Sequence, residues 1–248
     1  MWAPSTPGRP GAAAKRAGMA SKAPARFDGF SKEGLAFLRG LAKHNDRTWF
    51  APRKHVYEAE LLAPLNALVD ELSARLARER IPIASIPGKA VFRIYRDVRF
   101  SNDKRPYKTN LGAYLSPDGT RSTPGGLYVH VEPGDSFVAA AFYQIDAPLL
   151  LRFRQAIVAD PKRFGTMLRA LERNGLALPG PEEQDDALKR PPRGFADAPE
   201  DVAGYLQLRS FVVRRELTDA EVGSRKLVDT AVRFTKDALP LLRYGWAL

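Results

Sequence analysis

Apolar residues recur at helical spacing toward both ends of this chain and at alternate positions in its middle, and that switch of period divides the sequence into three blocks. In the first block Phe30, Leu35, Phe37, Leu38 and Leu41 form a helical stripe behind Ser31, which is placed to cap a helix reaching about Lys43. The loop HNDRTWF follows at 44–50. Leu61, Leu65, Leu68, Leu72 and Leu76 then predict one long helical stretch to about Arg80. Pro64 should kink or split it, because proline lacks the amide that the preceding turn requires.

Between residues 89 and 144 the period falls to two. Leu127, Val129 and Val131 alternate with Tyr128 and His130. Beyond a Pro133-Gly134-Asp135 turn, Phe137, Ala139, Ala141 and Tyr143 alternate with Val138, Ala140 and Phe142. Further strands are expected over 90–100 and 110–115, joined by short turns into an antiparallel meander.

Helical spacing then returns. Asp146 and the pair Asp160-Pro161 mark two helix starts. Residues 179–199 read as a proline-rich loop, 210–216 as one more strand, and Thr218 with Glu221 as the capping box of a last helix ending near Ala238. Helices flanking a contiguous block of strands predict a single α+β domain over 26–248, with an antiparallel sheet of four or more strands. Residues 1–25 carry Ala, Pro, Gly and basic residues without periodicity, and are expected to form a disordered leader. An acid-free leader bearing arginine also fits a transit peptide, and translation starting at Met19 would remove most of it.

The 248 residues contain no cysteine, which excludes disulfides, thiolate metal sites and a cysteine nucleophile and fits a reducing, cytoplasmic setting. No apolar run has the length of a membrane span. The net charge of +11 favours anionic partners, but four of those charges lie in the leader. The remainder falls short of the dense basic stripe of a dedicated nucleic-acid binder.

One run concentrates the charge. FRIYRDVRFSNDKRPYKTNLGAYL (92–115) holds Arg93, Arg96, Arg99, Lys104, Arg105 and Lys108 against only Asp97 and Asp103. Guanidinium forks match carboxylate and phosphate geometry, so this excess of cations predicts an anion site built from Arg93, Arg96, Arg99, Lys104 and Lys108. Alternation would send Arg93, Asp97 and Arg99 to one face, where Asp97 could orient both arginines. His44, Arg47, Tyr107 and Tyr128 are candidate accessory groups. A structural Arg–Asp network is the competing reading. Two other functions stay open: a noncatalytic nucleic-acid or protein interaction module, and a phosphodiester hydrolase in which Asp97 and Asp103 hold Mg²⁺ with help from Glu132 and Asp135. His44, His55 and His130 match no metal-ligand spacing, and no nucleotide-loop or nucleophile-elbow pattern is present, so no metal or cofactor is expected.

These blocks resemble a known family. HNDRTWF, RDVRFSNDKRPYK within the basic run, GLYVHVEPGDSFVAAAFY (126–143) and LKRPPRGF (188–195) are similar to successive segments of domain-of-unknown-function family 2461. The resemblance spans roughly 27–242. It implies a conserved hypothetical protein and no particular activity. Two departures stand out: His44 replaces an asparagine usual in that family, and Ala139 to Ala141 replace positions that are often glycine.

Overall fold

An alternating strand can bury one of its two faces, and four such strands pair here. In the computed structural model, which describes residues 26–99 and 102–248, β1 (Leu111–Leu115), β2 (Gly126–Val131), β3 (Ser136–Phe142) and β4 (Phe211–Leu217) form an antiparallel sheet in the order β1-β2-β3-β4. The expected leader lies outside the described residues. Register places Tyr114, Tyr128, Ala139 and Arg214 in one row across the sheet, and Gly112, His130, Phe137 and Glu216 in the next. Both rows belong to the same face. On the opposite face Leu127, Val129, Val131, Val138 and Ala140 are fully buried.

Helices cover that second face. The Ala63–Arg78 helix packs on β1, while Leu227–Asp237 and Leu239–Trp246 pack on β3. Phe153, from the Ala147–Ala159 helix, stacks on Phe211 at 4.3 Å and meets Phe142 edge-on at 5.1 Å. Each such fully buried side chain stabilises the fold by about 1.5–3 kcal/mol relative to exposure. The result is the single α+β domain that the periodicity predicts. No helix among the described residues is long and apolar enough to cross a membrane.

The caps act where the sequence puts them. Ser31 accepts from Gly34 N at 3.0 Å, Asp146 from Leu149 N at 3.0 Å and Asp160 from Arg163 N at 2.9 Å. Thr218 and Glu221 form their reciprocal box. At Pro64 the helical stretch changes its winding without breaking: a π-helical turn, Glu58–Leu62, runs directly into Ala63–Arg78.

Two expectations need revision. The last helix is not continuous, because Val222 O accepts a hydrogen bond from Phe30 N at 3.1 Å instead of from its own next turn. Asp219–Val222 therefore stops at Gly223, and helix resumes at Leu227–Asp237. The segment 90–100 also forms no regular strand. Phe92 N donates to Gly112 O on the edge of β1, after which the chain pairs with its own return limb through Arg96 N to Pro106 O and Lys108 N to Ile94 O. Pro106 has no amide with which to extend that ladder. Phe100 and Ser101 lie outside the described residues.

Candidate functional site

The uncovered face of the sheet floors a cleft of about 1360 Å³. Its depth comes from small side chains, since Ala139 and Ala141 leave the middle of the floor low. The start of the Ala147–Ala159 helix, through Leu149 and Arg152, and the 179–186 segment wall it on the far side. Clefts with an apolar floor and a few converging polar groups are where small ligands bind.

At one end, cations gather on an aromatic ring. Lys108 Nζ lies 5.3 Å and the Arg121 guanidinium 4.9 Å from the centre of Phe92. Arg121 also donates to Val91 O at 3.2 Å. Burial, followed by the charges of Arg93 and Arg121, pushes the pKa of Lys108 down. Among the described residues no carboxylate forms an ion pair with Arg93, Lys108 or Arg121. A second cleft of about 250 Å³, lined by Arg96, Arg105 and Tyr107, shares Lys108 and Asn110 with the large one.

Beside this basic end, alternate residues of β2 and the turn after it form a hydrogen-bonded chain. Tyr128 Oη is 3.1 Å from His130 Nδ1, and His130 Nε2 is 3.2 Å from Glu132 Oε2. Thr109 Oγ1 donates to the other Glu132 oxygen at 2.7 Å. A carboxylate only accepts, so Nε2 carries the imidazole proton and Nδ1 is left to accept from the tyrosine hydroxyl. Phe137 stacks on His130 at 4.6 Å with 11° between the rings, and the imidazole side chain is only 12% exposed. Ser136 clamps the backbone of Glu132, accepting from its N at 3.0 Å and donating to its O at 2.7 Å. Burial, with a smaller contribution from Glu132, pushes the Tyr128 hydroxyl up to about 12.

The sequence candidates divide between the cleft and the surface. Lys108 and Tyr128 line the large cleft and Arg96 the small one. Asp97 accepts from Arg99 at Nε (3.0 Å) and the guanidinium terminus (2.7 Å), while Arg93 reaches it through charge alone. The Arg99 bonds hold the Asp97 carboxyl down at about 2. Asp103 accepts from Arg105 and Arg96, which hold its carboxyl well below the usual range. Lys104 Nζ donates to Val98 O at 3.1 Å.

The loop candidates have structural partners. His44 is exposed and stacks on Trp49, Arg47 is exposed, and Tyr107 is buried against Phe50 at 4.2 Å. The loop's working amide is Asn45, which donates to Tyr107 O and accepts from Tyr107 N, both at 3.0 Å. That reciprocal pair docks HNDRTWF onto the basic segment.

Asp97 and Asp103, the carboxylates considered for Mg²⁺, are thus engaged by arginines. His130, Glu132 and Asp135 place ligand-type atoms within 4.8 Å of one another, but both Glu132 oxygens already accept hydrogen bonds. We read that group as part of the hydrogen-bonded chain. Arg121 and Arg214 line the cleft without having been candidates from the sequence, and Glu132, considered there only beside a metal, is instead the hydrogen-bond partner of His130, a link signalled by the shared parity of Tyr128, His130 and Glu132.

Comparison with curated proteins and with solved structures finds no match. A family model does match, over residues 33–244, and it is described as conserved hypothetical protein (DUF2461); the chain belongs to that family.

Proposed function

We propose that this protein binds a small phosphate- or carboxylate-bearing ligand in the cleft on the open face of the sheet, with Lys108 and Arg121 as its principal anion contacts. One observation carries the reading: Lys108 and Arg121 converge on the Phe92 ring with no carboxylate ion-paired to either among the described residues. Like charges close to one another repel, the more so at the half-buried Lys108, and a bound anion relieves that repulsion while accepting their donors. Phe92 and Tyr128 offer ring surface beside the cations for the rest of the ligand. Glu183, Asp185 and Asp186 line the same cleft, which favours a compact ligand over a long polyanion running its length.

Thermal melting at fixed ionic strength tests this, with and without inorganic phosphate. The wild type should gain stability as phosphate saturates it, by about 2.7 kcal/mol at a hundredfold excess over Kd. Lys108→Met keeps the apolar stem and removes the charge. Because the fold lowers the pKa of Lys108, the charged form is disfavoured in the folded state and the variant should melt higher without phosphate, by about 2–4 °C for a 1 kcal/mol gain. It should gain little on adding phosphate. Equal phosphate responses in the two proteins would sink the proposal.

A further inference from the structure

We infer that Tyr128 is a nucleophile, activated by His130 and Glu132, that takes a phosphoryl group from an anionic phosphate ester held at Lys108 and Arg121. This rests on the anion-binding reading above and adds a reaction to it. The Tyr128–His130–Glu132 chain has the order of parts found in hydroxyl-based nucleophilic sites: a hydroxyl bonded to an imidazole nitrogen, whose other nitrogen is oriented by a carboxylate. All three side chains come from alternate positions of one strand and its turn, so backbone geometry fixes their order. The stacked Phe137 ring and the Thr109 hydroxyl hold the imidazole and the carboxylate in place.

Purely structural roles explain these contacts less well. Tyr128 lines the same cleft as Lys108 and Arg121, and its oxygen is bonded to an imidazole rather than left to fill space. Gly112 leaves room for that oxygen, since a Cβ there would lie 2.7 Å from Tyr128 Oη. Phe92 connects the two halves of the site: its ring centre is 6.0 Å from that of Tyr128 and 5.3 Å from Lys108 Nζ. Lys108, Arg121 and Tyr128 therefore all border one ring.

The step balances as follows. A Tyr128 Oη–phosphorus bond forms and the ester's phosphorus–oxygen bond breaks. The phenol proton passes to His130 Nδ1, giving an imidazolium stabilised by Glu132 that returns it to Tyr128 in the second step, while the leaving oxygen departs opposite Oη and takes its proton from solvent water. Water then cleaves the Oη–phosphorus bond, and Tyr128 regains its proton. The hydroxyl is a weak acid in its buried setting, so its proton must leave as the new bond forms, as in serine-based sites. Lys108 and Arg121 would meet the charge that develops on the phosphoryl oxygens.

The probe is 4-(fluorosulfonyl)benzoate, whose carboxylate suits the basic end and whose tetrahedral sulfur stands in for phosphorus. Attack by Tyr128 forms an oxygen–sulfur bond and expels fluoride, and peptide mass spectrometry locates the label. We expect Tyr128 to be the labelled residue, inorganic phosphate to slow labelling, and Tyr128→Phe to abolish it. His130→Asn should slow it at least about tenfold, the low end for loss of a general base. Glu132→Gln, which keeps the shape of the carboxylate and removes its charge, should slow it by a smaller factor. Circular dichroism and melting of each variant separate lost reactivity from lost fold. Label on Lys108 with Tyr128 unmodified, or wild-type labelling rates in folded His130→Asn and Glu132→Gln, would overturn the inference. If phosphate still raises the melting temperature in that case, the binding reading survives alone; if it does not, both fail.

Discussion

Along β2, Leu127, Val129 and Val131 meet helices and are fully buried, while their alternates Tyr128 and His130 meet an open cleft and bond to each other. The two sets share a backbone, a register and a twist, and they differ only in what covers them. One face gains its stability from apolar area removed from water, a term that polar groups without partners oppose. The other keeps half-buried polar groups, each supplied with a partner: His130 by Glu132, Glu132 by Thr109, Tyr128 by His130. The sheet thus separates a packed apolar face from an open hydrogen-bonded one by the alternation of its side chains.

The strongest way to break this comparison is to remove one ring from each face. Phe142→Ala empties a site between Phe153 and the Leu239–Trp246 helix and should cost about 3–5 kcal/mol. Phe137→Ala, beside the cleft, should cost about 1 kcal/mol, the worth of an aromatic pair. Urea unfolding of both variants measures this, and equal losses would mean that the cleft face is as important to stability as the core face.

A second experiment sharpens the contrast within the cleft. Gly112→Ala pushes a methyl group toward Tyr128 Oη and the Phe92 ring. The far end of the tyrosine can yield, so stability should fall by only about 1 kcal/mol. Labelling of Tyr128 by the sulfonyl fluoride should drop at least about tenfold, because the hydroxyl can no longer sit against His130. A variant that loses stability but labels normally would show that the glycine serves packing alone.

The smallest effect concerns the exposed Asp97–Arg99 pair, which belongs to neither face. The folded pKa of Asp97 is lowered to about 2 from 3.8, so its contribution is complete above the unfolded value and disappears as pH falls through about 2. Both side chains are well exposed, which keeps that contribution small. Melting curves from pH 5 to pH 2 should show a slight destabilisation of Asp97→Asn near pH 5 that vanishes at the acid end. A large constant difference would indicate a structural role that the exposed geometry does not suggest.

Much of this molecule was legible as pattern. Ser31, Asp146, Asp160 and Thr218 begin helices because a short oxygen-bearing side chain meets an otherwise unpaired amide, and that requirement is local. The alternation in 126–143 gave both strands and both faces for the same reason. The break at Gly223 was not legible, because it depends on Phe30 N, nearly two hundred residues away, taking the Val222 carbonyl.

The sequence by itself determined the α+β class, the antiparallel strands, most helix starts and the density of positive charge in 92–115, since each follows from neighbouring residues and chain periodicity. Tertiary structure alone decided which of those charges have partners. Asp97 and Asp103 engage Arg99, Arg96 and Arg105, while Lys108 is carried to Arg121 and Phe92 at the mouth of a cleft. It also decided that one sheet face stays uncovered and that Thr109, Tyr128, His130 and Glu132 meet there. The physical reason is range: periodicity and capping act within a few residues, whereas ion pairing, burial and cleft formation depend on distances that only the packed chain sets.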